Sequence, residues 1–469
     1  MTVASRFTAA SACALLVLAA CAVDPPPPPV ELRREALPHL QVPGQWTSAP
    51  GGSASEAPVA WLQQFDDAQL AALVAEAMLH NPDLRVASGR VQLASEYVNV
   101  AESKLYPQVN LMARGGGPMG GDASGLQGVG LFAEWELDLW GRVRAERAAS
   151  EAGYEATVAD AQYARQSIAA LVVKSYYLAV EATLQKSLAE RMVEDSTQLV
   201  GFAEQRERVG RGDGYDSALA RGNVETFRDT VEQLILARSQ ALRALEVLVG
   251  RYPAASVSVA TQLPPVSEPV PAGLPSELLE RRPDVVAAER RVASSFYGIQ
   301  QAKAARLPRI GLTATVNDVS SELFVLKDRD NPVWSVGASL LQPVFNAGAL
   351  QSQVRISTAE QQLAVAEYGR VGARAFAEVE EALAAEFAAQ RREAVLGRAY
   401  SENARALELA QVRYDVGSAD LRAVRQQQLA VHAVRSTQLR VQAERVIQRV
   451  NLYLALGGDF GAPEPVATR

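Results

Sequence analysis

The sequence has only two cysteines and three histidines among its 469 residues. Cys13 and Cys21 both lie near the N-terminus, so the rest of the chain can build neither an internal disulfide nor a thiolate metal site. His39, His80 and His432 are far apart, and none stands in an HExxH or comparable ligand spacing. No nucleophile-base pair and no metal-ligand cluster is visible, which argues against an enzyme and against a cofactor. Aromatic residues amount to 6%, and the formal net charge of −7 comes from interspersed acidic and basic side chains. Without a basic stripe to meet a phosphate backbone, nucleic acid is not expected as a partner. Proline is missing from two long stretches, Ala145–Val209 and Gln351–Val416. No Pro/Gly-rich linker divides the chain into independent blocks.

The first 20 residues carry one basic side chain, Arg6, and an apolar run from Ala9 to Ala20 that is too short to cross a bilayer as a helix. They read as a secretory signal. The run ends in Leu18-Ala19-Ala20-Cys21, which resembles the lipobox of bacterial lipoproteins, with Cys21 as the lipid-attachment residue. Acyl chains there would anchor the mature chain to a membrane. Residue 22 is Ala rather than Asp, so that resemblance implies no retention in the inner membrane. The five prolines Pro25–Pro29 predict an extended polyproline spacer within an N-terminal extension over 21–60.

The remainder is written twice, as 61–260 and 261–457, before a short tail over 458–469. Asn81-Pro82-Asp83-Leu84 leads to Tyr106-Pro107-Gln108, and Arg282-Pro283-Asp284-Val285 leads to Leu307-Pro308-Arg309, with the same proline spacing and an offset of 201. Farther on, Arg208-Val209-Gly210-Arg211-Gly212 echoes Arg413-Tyr414-Asp415-Val416-Gly417, an offset of 205. Alternation with a period of two predicts strands at about 108–115, 127–140, 309–317 and 332–345. In the second of these Val129, Leu131, Ala133, Trp135, Leu137 and Leu139 share one face, and Glu134, Glu136 and Asp138 the other. The Gly115–Gly121 loop lacks the GK[ST] ending of a phosphate cradle and reads as a hairpin loop.

The period then changes to threes and fours. Ile168, Leu171, Ser175, Leu178 and Ala182 mark one packed helix, and Phe376, Val379, Leu383 and Phe387 another. At 1.5 Å per residue each proline-free stretch predicts a rod of about 100 Å. Leu70–Lys104 with Leu219–Gly250, and Leu278–Arg306 with Leu421–Leu456, predict pairs of shorter helices of the same summed length. The strands' apolar face has no soluble core to cover, which makes lipid its natural destination. A sheet in a bilayer must close into a barrel. Four strands cannot close one, and eight leave no channel, so more than two copies are required.

Trp61-Leu62-Gln63-Gln64-Phe65-Asp66-Asp67 with Asn81-Pro82-Asp83-Leu84, and Leu278-Leu279-Glu280-Arg281-Arg282-Pro283-Asp284-Val285, resemble the two signatures of TolC-like outer-membrane factors, particularly the NodT/OprM-type efflux lipoproteins. Asp138-Leu139-Trp140-Gly141-Arg142 and Gln342-Pro343-Val344-Phe345-Asn346-Ala347-Gly348 match the points where strand becomes long helix. The resemblance implies a mainly α fold with a β-barrel portion, in which a homotrimer forms a 12-stranded outer-membrane barrel continuous with a periplasmic α-helical tunnel. It implies a passive efflux duct for small molecules, served by an inner-membrane resistance-nodulation-division pump and a periplasmic adaptor. The family's periplasmic gate maps onto Arg208, Asp213, Tyr215, Asp216, Arg413, Tyr414, Asp415, Asp420, Arg422 and Arg425, and its adaptor-contact turns onto Gly212 and Gly417. Many relatives have Asp-Ala-Gln where this chain has Arg425-Gln426-Gln427, so an acidic ring must come from elsewhere. Two other readings stand beside this one: the exit duct of a type I protein secretion system, and a lipid-anchored coiled-coil scaffold of the envelope.

Overall fold

The computed structural model describes residues 23–48, 60–114, 127–266, 270–320 and 333–461. The signal, Cys21 and the C-terminal tail beyond 461 lie outside them. In chain order the elements are α1 (Pro29–Ala36), a 3-10 turn (Trp61–Phe65), α2 (Ala68–His80), α3 (Pro82–Ser103), β1 (Gln108–Arg114) and β2 (Gln127–Leu137). Then come α4 (Arg142–Arg208), α5 (Gly214–Leu248), α6 (Leu278–Arg281), α7 (Pro283–Ala304), β3 (Arg309–Ser320), β4 (Val333–Leu341), α8 (Ala349–Asp415) and α9 (Leu421–Ala455).

The two repeats coincide more closely than their sequences suggest. Helices α4 and α8 each have 67 residues, and α5 and α9 each have 35. All four boundaries of the first pair recur 207 positions later in the second. The offset of 205 is thereby corrected: Gly210, not Gly212, is the counterpart of Gly417, and both have positive φ, 72° and 77°. Strands β1 and β3 keep the offset of 201, while the residues opposite their first positions, Glu134 and Leu341, are already 207 apart, so the six extra residues of the second copy fall between the two strands of its pair.

Two expected helices are each broken in two. Pro82 and Pro283 have no N–H to donate and force the residue before them out of the helical region, so Asn81 (ψ 126°) and Arg282 (ψ 122°) are extended. Asn81 serves both sides of its break. Its Oδ1 accepts from the Asp83 and Leu84 amides at 2.9 and 3.2 Å, and its Nδ2 donates to the Leu248 carbonyl at 2.8 Å. The second strand ends at Leu137 rather than near residue 140 because the Asp138 carboxylate accepts from the Val143 and Arg144 amides, starting α4 at once. The fourth ends at Leu341, two residues before Pro343.

Chain contacts divide the molecule into two units. In the first (residues 1–40, 88–160 and 284–372) the strands form one antiparallel sheet in the order β1-β2-β3-β4. Its register gathers the apolar side chains. Leu111 stands opposite Leu131, which stands opposite Val316, which stands opposite Trp334. Trp135, Leu312 and Ala338 form another such row, so one face carries the branched and aromatic residues, as alternation required. Leu111, Val336 and Trp334 are exposed, at 71%, 88% and 73%. The long edges of β1 and β4 have no strand partner among the described residues. Residues 24–36 are more than a spacer here: Leu32 is buried, the Asp24 amide donates to the Gln300 Oε1, and the Ala36 carbonyl lies against Gly369 of α8. Pro29 starts α1, the helix position that tolerates proline.

The second unit (residues 41–87, 161–283 and 373–469) holds the main core, around Trp61, Phe65, Leu70, Tyr176, Tyr177, Leu245 and Tyr453. Trp61 stacks on Tyr453 at 5.4 Å. The stripe read along α4 is rotated from the expected one. Val172, Val173, Tyr176, Tyr177 and Val180 are buried, whereas Leu171 and Leu178 are exposed. On α8 Val379 and Leu383 are buried as expected. Trp46 is also buried, donating from Nε1 to the Ala272 carbonyl at 3.1 Å, and the Thr47 and Ser48 amides bind the Glu380 carboxylate.

Candidate functional site: the paired helical tips

The two turns that join α4 to α5 and α8 to α9 both lie in the second unit, and the chain builds them alike. After α4 the Arg211 amide returns to the Arg206 carbonyl at 2.8 Å, and after α8 the Ser418 amide returns to the Arg413 carbonyl at 2.8 Å. These are Schellman closures, with glycine in the left-handed position. The following helices start on aspartates: Asp213 accepts from the Asp216 amide at 3.1 Å and Asp420 from the Ala423 amide at 3.0 Å. Gly212 sits in the first turn, packed against Arg206 and Glu207. Two of the ten charged or tyrosine candidates therefore act as helix caps in the folded chain.

Between the turns is a small apolar cluster of Leu199, Ala203, Ala220, Tyr414, Leu421 and Val424. Tyr414 is 5% exposed, and the Arg206 guanidinium lies over its ring at 4.7 Å from the centroid. Arg206 also reaches the Tyr414 carbonyl at 3.5 Å. A second pair runs the other way, with the Arg422 guanidinium 5.0 Å from the centroid of the Tyr215 ring. Each helical hairpin thus lends an arginine to a tyrosine of the other, and the two pairs cross-brace the tips within one chain. Ser217 of α5 donates to the Glu207 carboxylate of α4, and Arg221 pairs with Glu204 at 2.9 Å.

Tyr414, Tyr215 and Arg422 are thus brought together as cross-brace members. Among the described residues Arg208 reaches only the Glu204 carbonyl of its own helix, at 3.4 Å. Asp415 accepts from Gln411, one turn back. Arg413 is exposed and has no ion pair with Asp213 or Asp216 among the described residues. Arg425 lines a narrow crevice with Leu199, Phe227 and Gln428. Sequence reasoning missed Arg206. The constant offset of 207 would have found it, because Arg206 is the counterpart of Arg413.

A helical scaffold joined to an antiparallel sheet with one apolar face, exposed at Leu111, Trp334 and Val336, is the architecture expected of an outer-membrane channel. Comparison with known proteins agrees. The sequence profile described as "Outer membrane efflux protein" matches residues 73–251 and 274–458, and the chain belongs to that family. The outer membrane protein OprJ of Pseudomonas aeruginosa is 31% identical over 419 residues, covering 85% of this chain and 86% of OprJ. The cation efflux system protein CusC of Escherichia coli K12 is 30% identical over 440 residues, covering 90% and 94%. Among solved structures, the outer-membrane channel OprN superposes with a TM-score of 0.82 at 27% identity, covering 90% of this chain and 97% of OprN. The open MtrE channel of Neisseria gonorrhoeae gives 0.81 at 28%, covering 94% and 99%. The chain is an outer-membrane channel component of an efflux system.

Proposed function

We propose that three copies of the chain form a passive duct: their sheets close a 12-stranded barrel through the outer membrane, and their helices enclose a periplasmic tunnel. The apolar sheet face with two unpaired long edges carries this reading. One copy cannot satisfy those edges, and backbone donors left open in hydrocarbon cost several kcal/mol each. Three copies supply twelve strands, enough to leave a lumen. Exposed apolar side chains at helical spacing, Val86, Leu93 and Val100 on α3 and Leu409 and Val412 on α8, give the helices seams for neighbouring copies.

Cys21 carries the acyl anchor; the relative SilC of Salmonella typhimurium, 28% identical over 411 residues, is named a probable outer membrane lipoprotein. The tips meet a periplasmic adaptor at Gly212 and Gly417, and an inner-membrane pump of the resistance-nodulation-division class loads small molecules. Arg413, Asp216 and Asp415 remain for contacts between copies, completing a gate that the cross-brace holds within each. The test is deletion and complementation in the native host. Loss of the gene should raise intracellular retention of a fluorescent efflux substrate, and the intact gene should reverse it. Cys21→Ser should abolish palmitate labelling while trimer still assembles. Unchanged retention after deletion, with protein secretion lost instead, would favour the exit duct of a protein secretion system.

A further inference from the structure

Of the three histidines, His432 alone lies in a helical hairpin that carries a tip. At 1.5 Å per residue it stands about 16 Å along α9 from the first residue of that helix. His432 is 9% exposed and is directed at the other hairpin, its Nε2 3.8 Å from the Asp195 Oδ2 of α4. That gap is too long for a hydrogen bond. The Nδ1 is buried and has no hydrogen-bond partner among the described residues. On the side away from the tips, the Gln185 Nε2 donates to the Ser436 carbonyl at 2.9 Å and ties α9 to α4. On the tip side the two helices meet through the apolar Leu199, Ala203, Leu421 and Val424. His432 therefore stands between a fixed tie and a contact that can slide apart.

From α4, Asp195 and Arg191 act on the ring. Helix α8 presents Tyr400, covered by the Arg435 guanidinium at 5.4 Å, and α5 reaches this stretch of α9 through Phe227, beside Gln428 and Leu429. Burial is the largest influence on the imidazole and holds its pKa below the ordinary 6.5, while Asp195 raises it and Arg191 lowers it by less. The neutral ring keeps its proton best on Nε2, toward the carboxylate, so a second proton falls on Nδ1, where nothing accepts it. Once the hairpins part, water reaches Nδ1 and the pKa returns toward 6.5. Packing of α9 on α4 is thus at full strength above pH 6.5 and weakens as pH falls from there toward the lowered value.

We propose that His432 is a proton-operated wedge between the two hairpins: in mild acid its second proton loosens the tipward part of α9 from α4 and favours parted tips. The contact lies within one chain and is read there. Its effect on a conducting pore rests on the duct reading above.

The test is the reactivity of a buried cysteine, Val424→Cys, toward a dithiodipyridine, in the full-length protein held in phosphatidylcholine nanodiscs. Its rate is divided by that of an exposed cysteine, Gln426→Cys, which removes the pH dependence of the thiol itself. From about pH 7.5 to about pH 5.5 the ratio should rise between about twofold and about tenfold, the upper limit being that of a group titrating near 6.5 in water. His432→Gln should leave the ratio flat. Asp195→Asn removes the group that raises the pKa and should enlarge the rise. Native gels establish that each variant keeps the parent assembly. A flat ratio with His432 in place overturns the proposal without recourse to a variant of it. An equal rise in His432→Gln, or a rise abolished by Asp195→Asn, overturns it as well. The duct reading fails on a different result, the absence of any channel current in planar bilayers.

Discussion

Replacing Arg206 by Gln should open the periplasmic end. The guanidinium lies over a ring that is 5% exposed, in a half-buried setting where a cation-π contact is worth about 1 kcal/mol. The two hairpins must part for the tips to widen, so that contact is lost on opening. If three chains open together, the loss in the closed state is about 3 kcal/mol, which shifts the closed-to-open ratio more than a hundredfold. Single-channel recording in planar bilayers would show this as higher mean conductance at unchanged trimer yield. Two controls bracket the cause. Tyr414→Phe keeps the ring and should stay near the parent, and Arg208→Gln removes only a contact to its own helix at 3.4 Å. Parent conductance in Arg206→Gln with trimer intact would refute the cross-brace. Opening by Tyr414→Phe as large as by Arg206→Gln would move the latch to the tyrosine hydroxyl, in a contact between chains.

Three further outcomes follow from the packing. Leu131→Arg, on the apolar face opposite Leu111 and Val316, should cost about 2–4 kcal/mol near mid-bilayer and deplete folded protein in outer-membrane fractions, whereas Glu134→Ala should not. Gly369→Ala places a Cβ about 2.5 Å from the Ala36 carbonyl oxygen, so residues 24–40 should lift from α8 and become sensitive to limited proteolysis. Glu246 is fully buried: burial raises its pKa, but hydrogen bonds from Ser256, Ala255 and Val257 outweigh that and hold it below the ordinary 4.5. The stability it gives is therefore present above pH 4.5 and lost as pH falls through the lowered value. In urea unfolding, Glu246→Gln should remove about 2–3 kcal/mol at neutral pH and flatten that acid dependence.

The duplicated plan, the strands and the alternation of their two faces were legible because a period of two and a repeated proline are local signals. The register adds what alternation cannot give, namely that Leu111, Leu131, Val316 and Trp334 fall in one row. The breaks at Pro82 and Pro283 were visible in the sequence, but summing helix lengths across them hid the kinks. On α4 the expected stripe through Leu171 and Leu178 was misplaced because Val173, Tyr176, Tyr177 and Val180 offer an equally regular apolar face, and tertiary packing chose between them. The tip candidates were legible by residue type and not by role. Asp213 and Asp420 stand at the tips as expected, and their capping of the next helix was not read from the sequence. Arg206 was invisible because the glycines were aligned two residues out of step.

The central claim is that β1 of one copy pairs with β4 of the next. Its most direct test is disulfide trapping in intact outer membranes, with single cysteines introduced along β1 (Val109, Leu111, Ala113) and β4 (Trp334, Val336, Leu340) in pairwise combination. The account predicts that at least one alternate-residue set cross-links between chains and gives covalent dimer and trimer bands that end at trimer. Monomer alone under oxidation, or a ladder extending beyond three chains, would contradict it.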